Sequence, residues 1–166
     1  MAGNLKSSMP PVGARDARLL LLGSLPGDAS LAAQRYYAHP TNQFWRLLGG
    51  ALGEELAGLA YGERLARLAA RGVALWDVVD RAERPGSLDG AIRSARHNSL
   101  ADYAATHPRL EAIGFNGKAA GAIGRRALGT TRLTLIDLPS SSAAFTASFE
   151  VKLAQWRRLA AFADPG

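Results

Sequence analysis

Cysteine is absent from this chain of 166 residues. Its absence excludes a disulfide, a cysteine nucleophile, an iron–sulfur cluster and any zinc site that depends on thiolates. Long apolar runs are missing as well, because no stretch approaches the roughly 18 residues that span a bilayer. The first residues contain no apolar segment of the signal-peptide type. We therefore expect a soluble, cytoplasmic protein that does not contact a membrane.

Acidic residues are in short supply relative to basic ones. Lys and Arg number 20 against 14 Asp and Glu, which gives a formal net charge of +6. This excess favours a polyanionic partner such as nucleic acid. A GC-rich coding sequence, which enriches Ala, Arg and Gly, would produce the same excess without any such partner.

The length and the hydrophobic content of 48% suit one compact domain. We predict a flexible lead-in over residues 1–17 and a single domain over residues 18–164, and we expect a monomer. Four nearly continuous apolar runs predict parallel strands that are buried on both faces. They are Leu19–Gly23, Val73–Val79, Leu110–Phe115 and Leu133–Leu138.

Helical patterns lie between the predicted strands, at Asn42–Leu52, Gly62–Ala70 and Gly117–Leu128. A last helix begins near Ser148 and is amphipathic. Its apolar face carries Phe149, Leu153 and Trp156, and its opposite, charged face carries Lys152, Arg157 and Arg158. The alternation predicts an α/β fold, a three-layer αβα sandwich around a central four-stranded, mostly parallel sheet.

Ligands of such sheets bind at the carboxyl ends of the strands. Four loops follow the predicted strands there: Ser24–Asn42, Asp80–Leu100, Asn116–Ala119 and Pro139–Ala147. All four are rich in polar, small or aromatic residues, which indicates a site.

The first loop opens with "GSLPGD", in which Gly23 and Gly27 permit a close approach of the backbone to a ligand. Backbone N–H groups here can meet an oxygen of a base, a sugar or a phosphate. The spacing fits neither a P-loop nor a dinucleotide-binding fingerprint. The alternative is a tight exit from a strand.

The same loop continues as "YYAHPTNQFW". Core packing must explain some of its aromatic side chains. Asn42 can hold a water through its amide and align it for attack. His39 ranks behind it, since a lone histidine is more often a hydrogen-bonded structural residue than a base.

Two further loops carry candidates. In "FNGKAA", the amide of Asn116 suits the mixed donor and acceptor edge of a nucleobase, and Lys118 either neutralises phosphate or is an ordinary solvated residue. In "DLPSSSAAFTAS", the hydroxyls of Ser140–Ser142 suit a phosphodiester, and the tip Ala143–Phe145 can enter a base stack. A polar capping loop with Phe145 packed on the core is the alternative.

The remaining loop carries four arginines in "RAERPGSLDGAIRSARHN". They form either a basic rim on the edge of the other loops or a solvated run of charges. The residues are Arg81, Arg84, Arg93 and Arg96.

Together these loops resemble the uracil-DNA glycosylase superfamily, and most of all its hypoxanthine-DNA glycosylase branch (DNA-deoxyinosine glycosylase, family 6). The resemblance runs from about Arg18 to Trp156. The long first motif, "GSLPGDASLAAQRYYAHPTNQFW", is specific. The segments "GVALWDVV", "GSLDGAIR", "IGFNGKAA" and "LPSSSAA" follow in the family's order and are weak individually.

Three positions depart from related branches. Mismatch-specific uracil glycosylases carry a water-positioning Asn where this chain has Leu25, and uracil-type enzymes carry a His where it has Leu138. The hypoxanthine branch assigns the catalytic role to the Asn of its His-Pro-x-Asn element, which is Asn42 here. Its last loop usually reads Ser-Pro-Ala-Asn, whereas this chain reads Ser-Ala-Ala-Phe over residues 142–145.

The resemblance implies a DNA repair glycosylase that hydrolyses the N-glycosidic bond of a flipped-out deaminated base, hypoxanthine or uracil, without strand cleavage, metal or cofactor. A uracil-preferring mismatch glycosylase is one alternative, and a non-catalytic damage-sensing DNA-binding module is another. Asn42 is the implied catalytic residue. The implied base pocket contains Gly23, Ser24, Leu25, Pro26, Gly27, Tyr37, His39, Phe44 and Asn116. The implied DNA contacts are Ser140, Ser141, Ser142, Ala144, Phe145 and Lys118.

Overall fold

The computed structural model describes residues 5–7, 9–83 and 93–166, with side chains described for residues 9–80 and 98–166. The strands are β1 (Leu5–Ser7), β2 (Val12–Gly13), β3 (Leu19–Gly23), β4 (Val73–Asp77), β5 (Val79–Glu83), β6 (Arg93–His97), β7 (Ala112–Asn116) and β8 (Thr134–Leu138). The helices are α1 (Asp28–Ala33), α2 (Phe44–Leu52), α3 (Tyr61–Ala70), α4 (Leu100–Thr106), α5 (Lys118–Leu128) and α6 (Phe149–Trp156). A 3-10 helix, Arg157–Phe162, continues α6. No helix among these residues is long and apolar enough to cross a membrane.

The central sheet has the order β2-β4-β3-β7-β8. Its four main strands are parallel, and the predicted four-stranded core is confirmed. The short β2 pairs antiparallel with β4 and was not predicted, because its two residues leave no apolar pattern. The predicted strand Val73–Val79 is divided, since β4 ends at Asp77 and β5 leaves for a separate antiparallel sheet of the order β1-β5-β6.

Both faces of the central sheet are covered, which confirms the three-layer sandwich. Leu19 and Leu21 belong to one core cluster with residues of α2, α3 and α6, whereas Leu20 and Leu22 belong to a second cluster with residues of α4 and α5. Successive side chains of a strand point to opposite faces, so a continuous run of leucines feeds both cores. All five residues of β3 are buried.

The expectation of a flexible lead-in is wrong for residues 9–17. Val12 pairs with Leu75 in the sheet, and the N–H group of Ala14 donates to the Val73 carbonyl at 2.9 Å. Met9 and Ala17 are buried in the core. This segment therefore completes an edge of the sheet.

The prediction for the last helix is correct on its apolar side and wrong at Lys152. Trp156 is fully buried, and Arg157 and Arg158 are exposed, as the pattern predicts. Lys152, placed on the charged face, is only 1% exposed. Hydrogen bonds to two loop residues hold its ammonium inside, and neither residue is visible in the pattern of the helix itself.

The four arginines of the proposed basic rim, Arg81, Arg84, Arg93 and Arg96, and the motif "GSLDGAIR" lie outside the residues whose side chains the structure describes.

Candidate active site

The loops after the parallel strands enclose one cavity of about 470 Å³. This is within the range of ligand sites, roughly 300–1,000 Å³. Most of the residues that the sequence pattern nominates line it: Gly23, Ser24, Leu25, Pro26, Gly27, Tyr37, His39, Asn42, Asn116, Ser140, Ser141, Ser142, Ala144 and Phe145. Ala29, Ser30, Tyr36, Thr41, Asp77 and Ala143 line it as well. The carboxyl edge of the sheet thus brings together segments that are far apart in sequence.

The "GSLPG" turn forms the wall above β3. Backbone N–H groups of Val78 and Val79 donate to the carbonyls of Gly23 and Ser24 at 2.8 and 3.0 Å. A Cβ atom on Gly23 would lie 2.8 Å from Oδ1 of Asp77 and 2.9 Å from the hydroxyl of Tyr37. Glycine is therefore required here so that two polar side chains can cross the end of the strand.

Tyr37 has a positive φ of 56°, which is unusual for a residue with a side chain. Its ring stacks on Phe44 with centroids 3.7 Å apart, and Phe44 in turn meets the edge of Trp156. Strained backbone of this kind clusters at ligand sites, where surrounding structure holds it in place. The packing fixes the plane of the tyrosine ring in the cavity wall.

Phe44 does not line the cavity, and the expectation that it belongs to the base pocket is wrong. Its side chain is fully buried behind Tyr37. The reason is local, because Phe44 is the first residue of α2 and its ring packs into the core beneath that helix. Of the two aromatic candidates for stacking on a base, only Tyr37 reaches the cavity.

The His-Pro-Thr-Asn segment makes a tight turn before α2. Nδ1 of the exposed His39 accepts a hydrogen bond from the N–H group of Thr41 at 3.1 Å. The N–H group of Asn42 donates to the His39 carbonyl at 3.0 Å. His39 thus lines the cavity while its ring nitrogen stabilises the turn that presents Asn42.

A hydrogen-bonded chain joins the two asparagines of the site through Ser141. Nδ2 of Asn116 donates to the hydroxyl of Ser141 at 2.8 Å, and that hydroxyl donates to Oδ1 of Asn42 at 2.8 Å. The backbone N–H of Ser141 returns a bond to Oδ1 of Asn116 at 2.9 Å. Oδ1 of Asn42 also accepts from the N–H of Phe44 at 2.9 Å, at the start of α2.

The expectation that three successive hydroxyls face a phosphodiester is wrong for Ser141, which is 1% exposed and engaged between the asparagines. Ser140 and Ser142 are half-buried, and each hydroxyl accepts a backbone N–H two residues ahead in the chain. Phe145, at the tip of the same loop, is 45% exposed. The apolar tip therefore projects instead of packing on the core.

Sequence reasoning missed several residues that line the cavity, and Asp77 is the charged one among them. It ends β4 and is 3% exposed, and among the described residues that line the cavity it supplies the one carboxylate. The available signal was its position, since the carboxyl end of a buried parallel strand is where such sheets bind ligands. Burial, followed by the charge of Asp77, raises the pKa of the Tyr36 hydroxyl above its usual range. That hydroxyl stays neutral and donates to the carbonyls of Met9 and Pro10.

Lys118 is exposed in the first turn of α5, one residue beyond Gly117, and does not line the cavity. Gly117 has a φ of 96°, which lets the chain turn sharply from Asn116 into the helix. Within the described part of the chain, no group of three or more His, Asp or Glu residues is arranged to hold a metal ion.

Comparisons with known proteins indicate the class of protein to which this chain is similar. A hypoxanthine DNA glycosylase of Methanosarcina barkeri is 40% identical over 116 residues, which cover 70% of this chain and 73% of that protein. One of Methanosarcina acetivorans is 39% identical over 140 residues, which cover 84% and 88%. The solution NMR structure of a candidate uracil DNA glycosylase from Methanosarcina acetivorans has a TM-score of 0.82 at 36% identity, covering 93% of this chain and 96% of that one.

The fold, the cavity and the similarity to named DNA glycosylases identify the class of this protein. It is a DNA glycosylase, a hydrolase that acts on N-glycosyl bonds. The chain belongs to the uracil DNA glycosylase superfamily, whose family model matches residues 10–163.

Proposed function

We propose that this enzyme removes a deaminated base, hypoxanthine first of all, from a nucleotide that is flipped out of DNA into the cavity. The observation that carries the proposal is the chain Asn116–Ser141–Asn42, which fixes two amides in one pocket. The names of the relatives support hypoxanthine as the base. Flipping costs a few kcal/mol and costs least for weakly paired bases, which contributes to selection. We further propose that the enzyme acts as a monomer in the cytoplasm without metal or cofactor.

Asn42 is the proposed catalytic residue, and its hydrogen bonds define the group that it offers. Oδ1 accepts two hydrogen bonds, one of them from a backbone N–H that can only donate. Both lone pairs of the carbonyl oxygen are thereby used. Nδ2 has no acceptor among the described residues and is the group with which Asn42 meets a ligand. A water held by Nδ2 keeps both of its protons for another acceptor.

Asp77 is the proposed acceptor for such a proton. The bond to the base breaks through a sugar with oxocarbenium character, so positive charge develops beside the attacking water. A carboxylate that is 3% exposed and held in a fixed position stabilises that charge more strongly than one in water. Backbone amides of the "GSLPG" turn are proposed to stabilise the charge on the departing base.

Asn116 is proposed to read the edge of the base, and Tyr37 to stack on it. The amide of Asn116 has one unused proton and one unused lone pair, because each of its ends makes one bond to Ser141. Hypoxanthine and uracil each present a neighbouring carbonyl and N–H group. Either base fits such an amide, so the remaining selectivity depends on pocket shape.

The loop Ser140–Phe145 is the proposed DNA contact. Phe145 is the exposed apolar side chain at its tip, which suits insertion into a base stack. Phosphates beside it are proposed to be contacted by Ser140, Ser142 and Lys118. Ala144, the chain neighbour of Phe145, is proposed to lie against the groove with it. Such contacts position the duplex without reading its sequence.

The test is a single-turnover assay on duplexes that contain deoxyinosine, uracil or xanthine, with release of the free base as the readout. We expect release of hypoxanthine, intact strands before alkaline treatment, and a loss of rate of about 10²-fold or more in Asn42→Ala, because the variant no longer aligns water. Release of uracil alone would support the uracil-preferring alternative. Tight binding without release of any base would support the damage-sensing module and would overturn the proposal.

A further inference from the structure

Lys152 is a buried cation outside the cavity. Its side chain is 1% exposed, and its ammonium donates to Oε1 of Gln43 at 3.0 Å and to the Ser142 carbonyl at 3.2 Å. Both partners are neutral, and no carboxylate of the described residues forms an ion pair with it. Burial lowers the pKa of Lys152. An uncompensated buried charge is costly, which calls for a reason to keep it.

The two partners of Lys152 are the chain neighbours of the two residues that meet in the site. Gln43 follows Asn42, and Ser142 follows Ser141. A second bond crosses at the same point, from the N–H of Gln43 to the Ser141 carbonyl at 2.9 Å. The ammonium thus ties together the two segments whose side chains bond to each other in the cavity wall.

The third contact of Lys152 is the ring of Phe145, whose centroid lies 5.4 Å from Nζ. This distance is within the range of a cation–π interaction. One ammonium from α6 therefore touches the residue before α2, the middle of the loop Ser140–Phe145, called the serine loop below, and the aromatic residue at the tip of that loop. A neutral side chain of the same length would offer fewer donors and no attraction to the ring.

We propose that Lys152 is a positioning residue that holds the serine loop against the Asn42 segment, so that Ser141 keeps the Asn42 amide in its working orientation. The inference rests on the proposed function, because Asn42 and the loop have their roles there. Lys152 makes no contact with DNA in this account, since its side chain is enclosed by protein. It acts on the rate of base release through two other residues.

The test compares Lys152→Met with Arg157→Met in the full-length protein. The first change keeps the apolar stem and removes the buried ammonium, whereas the second removes the exposed cation of Arg157, the first residue after α6. At saturating protein, we expect the single-turnover rate on a deoxyinosine duplex to fall at least about 10-fold in Lys152→Met, or about 1.4 kcal/mol. The rate of Arg157→Met is expected to stay at the wild-type value.

The dependence of binding on salt separates positioning from a direct phosphate contact. Each neutralised phosphate contributes about 0.9 to the slope of log affinity against log salt. Positioning predicts an unchanged slope in Lys152→Met together with the lower saturating rate. A slope reduced by about 0.9, with the saturating rate intact, would overturn the proposal.

Gln43→Leu tests the same linkage from its other side and can be measured even if Lys152→Met does not fold. It removes the acceptor on the Asn42 side, and we expect a lower saturating rate in a folded variant. Where both variants fold, their combination is expected to cost little more than the larger single effect, because they break one linkage. A wild-type rate in Gln43→Leu, or effects that add in full, would contradict positioning. A wild-type protein that releases no base would instead sink the proposed function itself.

Discussion

At the scale of single residues, the orientation of one amide decides what Asn42 can do. The backbone N–H of Phe44 must find an acceptor, and it finds Oδ1 of Asn42. The hydroxyl of Ser141 then adds a second bond to the same oxygen. A backbone N–H can only donate, so the side-chain atom that it meets must be the amide oxygen and not the nitrogen. Asn42 consequently has a donor, Nδ2, to offer in the role proposed for it.

Ser141→Ala should show how much this orientation contributes. The change removes one acceptor for Nδ2 of the buried Asn116 and one of the two donors to Oδ1 of the half-buried Asn42. Oδ1 of Asn42 keeps its bond to the N–H of Phe44, whereas leaving a buried donor such as Nδ2 of Asn116 without its acceptor costs about 1–3 kcal/mol. In single-turnover assays we expect a rate lower by about 10- to 100-fold, equivalent to about 1.4–2.7 kcal/mol. Ser148→Ala removes the N-cap of α6, at a residue that does not line the cavity, and should cost about 1 kcal/mol of stability with an unchanged rate.

Asp77→Asn tests the buried carboxylate. The substitution keeps the shape of the side chain and removes its negative charge from the cavity. We expect a rate of base release lower by about 10²-fold or more, because the charge of the sugar loses a fixed partner. Affinity for an abasic product duplex should not fall, since DNA is itself an anion. Asp28→Asn, an exposed change on α1 that does not line the cavity, should keep the wild-type rate; a parallel loss there would contradict a specific role for Asp77.

At the scale of elements, the hydrophobic pattern of the sequence predicts the strands and helices. It does not predict the features that depend on contacts between residues far apart in the chain. Continuous apolar runs predict the four parallel strands to within two residues at most of their ends, apart from the one run that divides at Val78. The antiparallel sheet was missed because β5 and β6 are polar and owe their pairing to each other. Lys152 was misplaced for a similar reason, since its partners lie on other elements. Cavity residues at strand ends were predictable from topology, whereas the link through Ser141 was not.

The packing of α5 on the sheet gives a prediction at this scale. A Cβ atom on Gly124 would lie 2.3 Å from Cε1 of the buried Phe115, so Gly124→Ala must displace either the ring or the helix. We expect a loss of about 1–3 kcal/mol in the free energy of unfolding. Gly62→Ala in α3 is the matched control, because nothing lies within 4 Å of its Cβ position. It should gain about 0.4–1 kcal/mol by restricting the unfolded chain. Urea unfolding of both variants would measure the two opposite effects.

At the scale of the whole molecule, the two edges of the central sheet have different tasks. The carboxyl edge holds the cavity. At the amino edge, arginines that flank the strands hold the C-terminal segment: Arg18 donates to the Ala163 carbonyl, Arg71 to the Asp164 carbonyl and Arg109 to the Asp164 carboxylate. Some of the arginines therefore have a structural role. The net charge of the chain alone overstates the positive charge that is available to bind DNA.

Asp164→Asn separates stability from activity on this basis. The hydrogen bond from Arg109, and then the charges of Arg109, Arg18 and Arg71, hold the pKa of Asp164 below its usual value. A lowered pKa in the folded state adds stability above the unfolded-state pKa of about 3.9, and that stability is lost as pH falls through the folded-state value. Urea unfolding near pH 7 should show Asp164→Asn to be less stable than wild type, and near pH 3 the difference should shrink.

The rate of base release by Asp164→Asn should equal that of wild type near pH 7, because the substitution lies at the edge of the sheet opposite the cavity. Asp16→Asn is the matched control. Its carboxylate lies 3.8 Å from Arg109, and its side chain is 71% exposed against 26% for Asp164. Solvent screens such a pair, so its removal should change stability less. A slower rate of base release in Asp164→Asn, with an unchanged free energy of unfolding, would mean that the amino edge of the sheet affects the cavity. The division of tasks between the two edges would then be wrong.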